Sequence, residues 1–139
     1  MKSNNPDFAE LLREYGSKAT PGRVTLLKVL WQEDKPISVA GLKKKLDPSF
    51  DEVTLYRALE SLTASGLIRE VDFRHGHAHY EMNALREHHH HIICTSCGRV
   101  EDTECRVQEA KLTKASAFRI ITDHTAEFFG LCNSCIKTA

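Results

Sequence analysis

No charge of one sign dominates this chain, and no long apolar run interrupts it. Its 139 residues carry 19 basic and 19 acidic side chains, a formal net charge of zero. Constitutive nucleic-acid binders are basic overall, so any DNA contact here has to come from a local face. No stretch approaches the ~20 apolar residues that span a bilayer. The opening Met1-Lys2-Ser3-Asn4-Asn5 lacks the apolar segment of a secretory leader. No internal repeat is present, and no HExxH-type motif of a zinc hydrolase. These absences predict a cytoplasmic protein that is neither a membrane protein nor an enzyme and has no small-molecule substrate. An apolar share of 41% is still enough for real cores, in one domain or two small ones.

What the chain does have is concentrated metal-ligand chemistry. Four of its five cysteines fall in two pairs, Cys94-x-x-Cys97 and Cys132-x-x-Cys135. Four soft thiolates suit a closed tetrahedral zinc site in a reducing compartment. The alternative is a pair of redox motifs, but a thioredoxin-type motif wants one CxxC at a helix N-terminus, not two flanking a domain. The long insert between the pairs needs a strand-helix-strand to bring its ends together. The fifth, Cys105, reads as a buried core thiol in preference to a ligand or redox sensor.

Periodicity predicts helices in the first half. Phe8, Leu11, Leu12 and Tyr15 recur at helical spacing, with Gly16 as a stop. Thr20-Pro21 opens a second helix that turns Val24, Leu27, Leu30 and Trp31 inward. Ser38 caps a third, running to Leu46. A fourth runs from near Asp51 to Gly66, with Leu55, Leu59 and Leu62 inside and Val53, Tyr56, Arg57 and Glu60 opposite. Strands over Leu67–Phe73 and His77–Met82 follow, joined across His75-Gly76. Helices ending in a hairpin predict a winged helix-turn-helix over residues 1–83. A hinge at 84–88 and a small α/β domain at 89–139 complete an α+β chain. In that second domain, strands over His90–Cys94, Arg99–Glu104 and Arg119–Phe129 surround a helix over Arg106–Ala117. Val107, Ala110 and Phe118 are its expected inward contacts. A domain of about 50 residues needs a metal or a partner chain to be stable.

Directly before the first cysteine pair stand His88, His89, His90 and His91. In a strand they alternate, His88 and His90 to one side, His89 and His91 to the other, so one run can serve two pockets. An affinity tag would sit at a terminus, not inside a sheet. In the hairpin, His77, His79 and Glu81 share a face. His75 and His77 read as turn and wing residues. His124 falls among core residues and needs a partner, a hydrogen bond or a metal.

Together these motifs resemble the ferric uptake regulator (Fur) family of bacterial metal-dependent repressors. The likeness runs through Val53-Thr54-Leu55-Tyr56-Arg57, Glu81, His88–His91 with Cys94-x-x-Cys97-Gly98, Val100, Glu109, His124 and the distal pair. It covers roughly residues 8–136. The resemblance implies a homodimer that binds a double-stranded, palindromic DNA operator when a regulatory metal is bound. Structural Zn2+ falls on Cys94, Cys97, Cys132 and Cys135. A regulatory hinge site falls on Glu81, His89, His91 and Asp102, with His79 as a candidate. A further site in the dimerisation domain falls on His88, His90, Glu109 and His124. Thr54, Tyr56 and Arg57 face DNA, and Lys43 and Lys44 either hold phosphates or are merely solvated. Iron- and peroxide-responsive members commonly supply a histidine before the third helix, where this chain has Pro36. That departure tilts the expectation towards a zinc-responsive member. Zn2+ or Fe2+ is the expected second metal, and Mn2+, Ni2+, a peroxide response or a zinc-storage role are the alternatives.

Overall fold

The computed structural model describes residues 4–137. The chain divides into two compact units, one ending at Arg86 and the other beginning at Glu87. No helix among the described residues is long and apolar enough to cross a membrane.

The first unit opens with α1 (Phe8–Glu14), whose Asp7 side chain accepts a hydrogen bond from the Glu10 N–H at 3.1 Å. Helix α2 (Pro21–Gln32) starts as the sequence predicts, with Thr20 Oγ1 accepting from the Arg23 N–H and proline in the first turn. A two-residue strand β1 (Ile37–Ser38) precedes α3 (Val39–Lys45), and α4 (Glu52–Ser65) follows. Strand β1 is too short to show alternation, which is why periodicity gives no sign of it. Gly66 ends α4 at φ 86°, a left-handed conformation that costs glycine nothing. Strands β2 (Ile68–Asp72) and β3 (Ala78–Met82) form the hairpin. The sheet runs β1-β3-β2, antiparallel throughout. This is a winged helix-turn-helix.

Its core is leucine-rich. Leu26, Leu27, Leu30, Leu42, Leu55, Leu59, Leu62 and Leu67 are each at most 1% exposed. Burying a side chain of that size contributes ~1.5–3 kcal/mol. The apolar stripe of α4 therefore anchors the helix and leaves Tyr56 and Arg57 outward. Gly41 sits where α3 closes on β1: a Cβ there would lie 2.7 Å from Ile37 Cγ1. Arg86 closes the unit by donating from Nη2 to the carbonyls of Leu30, Trp31 and Glu33, the last at 2.9 Å. A cation on the last carbonyls of α2 also suits the helix dipole. Residues 84–86 of the expected hinge are thus tied to this unit.

The second unit contains β4 (His89–Cys94), β5 (Val100–Glu104), α5 (Glu109–Lys114), β6 (Glu127–Gly130) and α6 (Asn133–Ile136). Its sheet runs β5-β4-β6, with β4 antiparallel to β5 and parallel to β6. Helix α5 is shorter than predicted, and Val107, Ala110 and Phe118 are exposed, not inward. Gln108 provides no side-chain cap, and a short helix without cover cannot propagate. Residues 119–126 are not a strand either; pairing with β4 begins only at Glu127. Among the described residues of this unit only His90, His91, Ile93 and Cys94 are buried. So little apolar burial makes metal ligation the natural source of its stability.

Candidate metal centres

The parallel register of β4 with β6 sets Cys94 opposite Gly130 and so brings the two CxxC knuckles together. One sulfur from each of Cys94, Cys97, Cys132 and Cys135 lies within 4.8 Å of the others. Cys97 and Cys132 Sγ are 3.8 Å apart. A tetrahedral Zn2+ with bonds of ~2.3 Å separates its sulfurs by about 3.8 Å, so the arrangement fits that ion. Each knuckle is a tight turn: the Gly98 N–H donates to Cys94 O at 2.9 Å, and the Cys135 N–H to Cys132 O at 3.0 Å. Backbone hydrogen bonds from Cys97 and then Cys132 bring the Cys94 thiol down to about 6. Ser96 draws Cys135 down too, but the surrounding sulfurs of Cys132, Cys94 and Cys97 outweigh it and push Cys135 up to about 12. Four thiolates cannot share this space without a cation among them.

A second convergence centres on His124. Its Nε2 lies 2.9 Å from His88 Nε2, 3.0 Å from His90 Nε2 and 3.2 Å from Cys105 Sγ. One imidazole nitrogen carries one proton or one lone pair, so hydrogen bonding cannot satisfy three such neighbours. A metal ion can. The outer nitrogens are held in the tautomer this requires: His124 Nδ1 meets Glu109 Oε1 at 2.9 Å, and His90 Nδ1 meets Ala126 O at 3.0 Å. Burial holds His90 below the ordinary imidazole range, which keeps it neutral.

This geometry differs from the sequence expectation in two ways. Glu109, expected as a ligand, contacts the far nitrogen of His124 and orients that ring. Cys105, expected in the core, is half-exposed and joins the donors. It lies 19 residues from His124 in sequence, and no spacing rule links the two.

His89 and His91 fall on the other side of β4, with ring centroids 5.0 Å apart. His91 is fully buried; its Nδ1 lies 2.9 Å from Glu127 Oε2 and its Nε2 3.7 Å from Asp102 Oδ1. Both carboxylates arrive by register, Asp102 opposite His91 on β5 and Glu127 opposite it on β6. Sequence reasoning missed Glu127 because parallel pairing leaves no local signature. In the first unit, Glu81 is buried and accepts from Arg69 Nε at 2.6 Å. His79, the hinge-site candidate, is grouped not with Glu81 but with His75 and His77.

The profile of the ferric uptake regulator family matches residues 14–129. The chain belongs to that family. It is 33% identical over 133 residues to the ferric uptake regulation protein of Legionella pneumophila, across 91% of this chain and 97% of that one. The Vibrio cholerae ferric uptake regulator has the same fold, with a TM-score of 0.69 at 29% identity over 91% of this chain and 100% of that one. The iron-containing regulator of Francisella tularensis gives 0.70 at 28% identity, over 87% and 96%. These relatives are transcriptional regulators, not enzymes, and this chain is a metal-responsive regulator of the same family.

Thr54, Tyr56 and Arg57, the residues expected to face DNA, are all exposed on α4. Tyr56 is 49% exposed despite its apolar ring. Lys43 shares a cleft with Tyr56 and the wing residue His77. Its Nζ already pairs with Glu52 Oε1 at 2.6 Å, while Lys44 is exposed on α3.

Proposed function

We propose that the chain represses metal-homeostasis genes by binding a palindromic operator as a homodimer when a divalent metal, Zn2+ or Fe2+, occupies its regulatory site. The carrying observation is the alternation of β4. His88 and His90 feed one donor set, while His89 and His91, with Asp102 and Glu127, feed another. A permanent zinc on the four paired cysteines would hold the second unit together, and an exchangeable ion would use the histidine and carboxylate donors.

In this reading the regulatory ion takes Glu81 from the winged helix and His89, His91 and Asp102 from the second unit. An ion bonded to both units fixes the distance between the two recognition helices of a dimer. Half-sites on a duplex repeat at ~34 Å, so a fixed distance allows both helices to dock together. Linkage then requires DNA to tighten metal binding by the same factor. Homodimerisation is supported by the apolar surface of the second unit: Phe118 is 70% exposed and Ile120 73% exposed, in a segment outside any strand. The thiol of Cys105 favours Zn2+ or Fe2+ over Mn2+ in the His88–His90–His124 set.

The test is a fluorescence-anisotropy titration of an AT-rich palindromic duplex, with Zn2+, Fe2+, Mn2+ or Ni2+ and with a chelator too weak to strip the structural zinc. Operator affinity should rise about a hundredfold with the cognate ion, equivalent to ~2.7 kcal/mol. Binding indifferent to both metal and chelator would refute the proposal.

A further inference from the structure

The β2–β3 hairpin carries three histidines: His75 and His77, which no site above uses, and His79, the hinge-site candidate, which the structure groups with them and not with Glu81. His75 and His77 flank Gly76 at the tip, and His79 follows on β3. Arg74 and Gly76 both adopt positive φ, 61° and 80°. The Arg74 N–H donates to Asp72 Oδ1 at 2.7 Å. The tip is therefore a tight turn closed on Asp72. Ring centroids of His77 and His79 are 4.8 Å apart, those of His75 and His79 5.8 Å, and those of His75 and His77 6.0 Å. One ring nitrogen from each lies within 4.8 Å of the others. The buried ring of Phe73 forms the floor, 4.8 Å from His79. His79 Nδ1 is buried with no hydrogen-bond partner among the described residues.

We propose that His75, His77 and His79 form a divalent transition-metal site on the wing, separate from the sites in the second unit. Bonds of ~2.0–2.1 Å to a tetrahedral ion place ligand nitrogens about 3.3 Å apart. The ring nitrogens, now within 4.8 Å of one another, would close to that spacing by a shift of the exposed His75 and His77 side chains towards His79. Each ring would bind the ion as the neutral imidazole. An all-imidazole set suits Zn2+, Ni2+ or Cu2+ and not the hard ions Mg2+ and Ca2+. Three ligands leave at least one position for water. The inference concerns the wing alone and stands whether or not the chain binds an operator.

The probe is Ni2+, equilibrated by dialysis with the full chain carrying its structural zinc. The variant His75→Ala/His77→Ala removes two exposed rings and should bind one nickel fewer per chain than the wild type, with zinc content and thermal melting unchanged. His75→Ala alone, confined to the tip, should weaken the same equivalent. In the wild type, paramagnetic nickel should broaden the imidazole proton signals of His75, His77 and His79. An equal nickel count in wild type and double variant, or wing signals untouched by nickel, overturns the proposal.

Discussion

Cys105 Sγ stands 3.2 Å from His124 Nε2, on the nitrogen opposite the one that Glu109 holds. The pair makes the donor set of His88, His90 and His124 softer than histidines and a carboxylate would be. A thiolate on a divalent ion gives a charge-transfer absorption that imidazole and carboxylate ligands do not. With Co2+ bound, the wild type should show that near-ultraviolet band beyond the contribution of the four-cysteine site, and Cys105→Ser should lose it. The variant should also hold the ion about tenfold or more weakly in a chelator competition, roughly 1.4 kcal/mol. Identical spectra and affinities would return Cys105 to the role of a bystander.

Tyr56 and Arg57 project from α4 while Leu55 and Leu59 on the same turns are buried. Removing the two exposed side chains leaves the core and the cysteine knuckles untouched. Tyr56→Ala with Arg57→Ala should abolish specific operator binding, with one structural zinc retained and the melting temperature little changed. Each good base contact is worth ~1–3 kcal/mol, so losing a tyrosine and an arginine in both halves of a dimer exceeds the margin of specific binding. Loss of zinc from this variant would show that α4 supports the metal unit, against the division of labour argued above.

Much of this was legible because local chemistry fixes it. Thr20-Pro21, Ser38, Asp51 and Gly66 mark helix ends by capping and φ, and they do so whatever the tertiary context. The cysteine spacing and the alternation of His88–His91 are equally local. What escaped notice depends on distant strands. Glu127 reaches His91 through parallel pairing of β4 with β6, and Cys105 reaches His124 through a loop. The helix expected over residues 106–117 is cut back to Glu109–Lys114 for the converse reason: its periodicity is real, but Val107 and Leu112 stay exposed and meet no cover among the described residues. His75 and His77 read as turn and wing residues, and His79 as a candidate for the hinge site, because a hairpin pattern does not say which side chains meet at its tip.

His91 is the buried member of the second donor set, between Glu127 and Asp102. In His91→Ala, operator affinity should no longer change when metal is added. Some stability should be lost as well, because the half-sheltered Glu127 carboxylate loses its contact with the imidazole. His89→Ala separates the two effects, since His89 is only half-buried and its Nδ1 contacts the Glu87 carbonyl at 2.9 Å. That variant should lose the metal response while melting like the wild type. A full metal response in both variants would remove these histidines from the switch.

The cysteine site sets a pH dependence whose sign follows from its protons. Zinc binds four thiolates, so every proton still on a sulfur must leave as the ion enters. Near neutrality Cys94, brought down to about 6, has already lost its proton, whereas Cys135, pushed up to about 12, keeps its own. Zinc affinity should therefore rise with pH throughout the neutral range. Below about 6 the Cys94 proton must be displaced too, and the dependence of log affinity on pH should steepen by about one. A chromophoric chelator competing across this range measures the slope, and proton release in weakly buffered solution counts the protons directly. A zinc affinity that stays flat across neutral pH would mean that Cys135 is not a ligand.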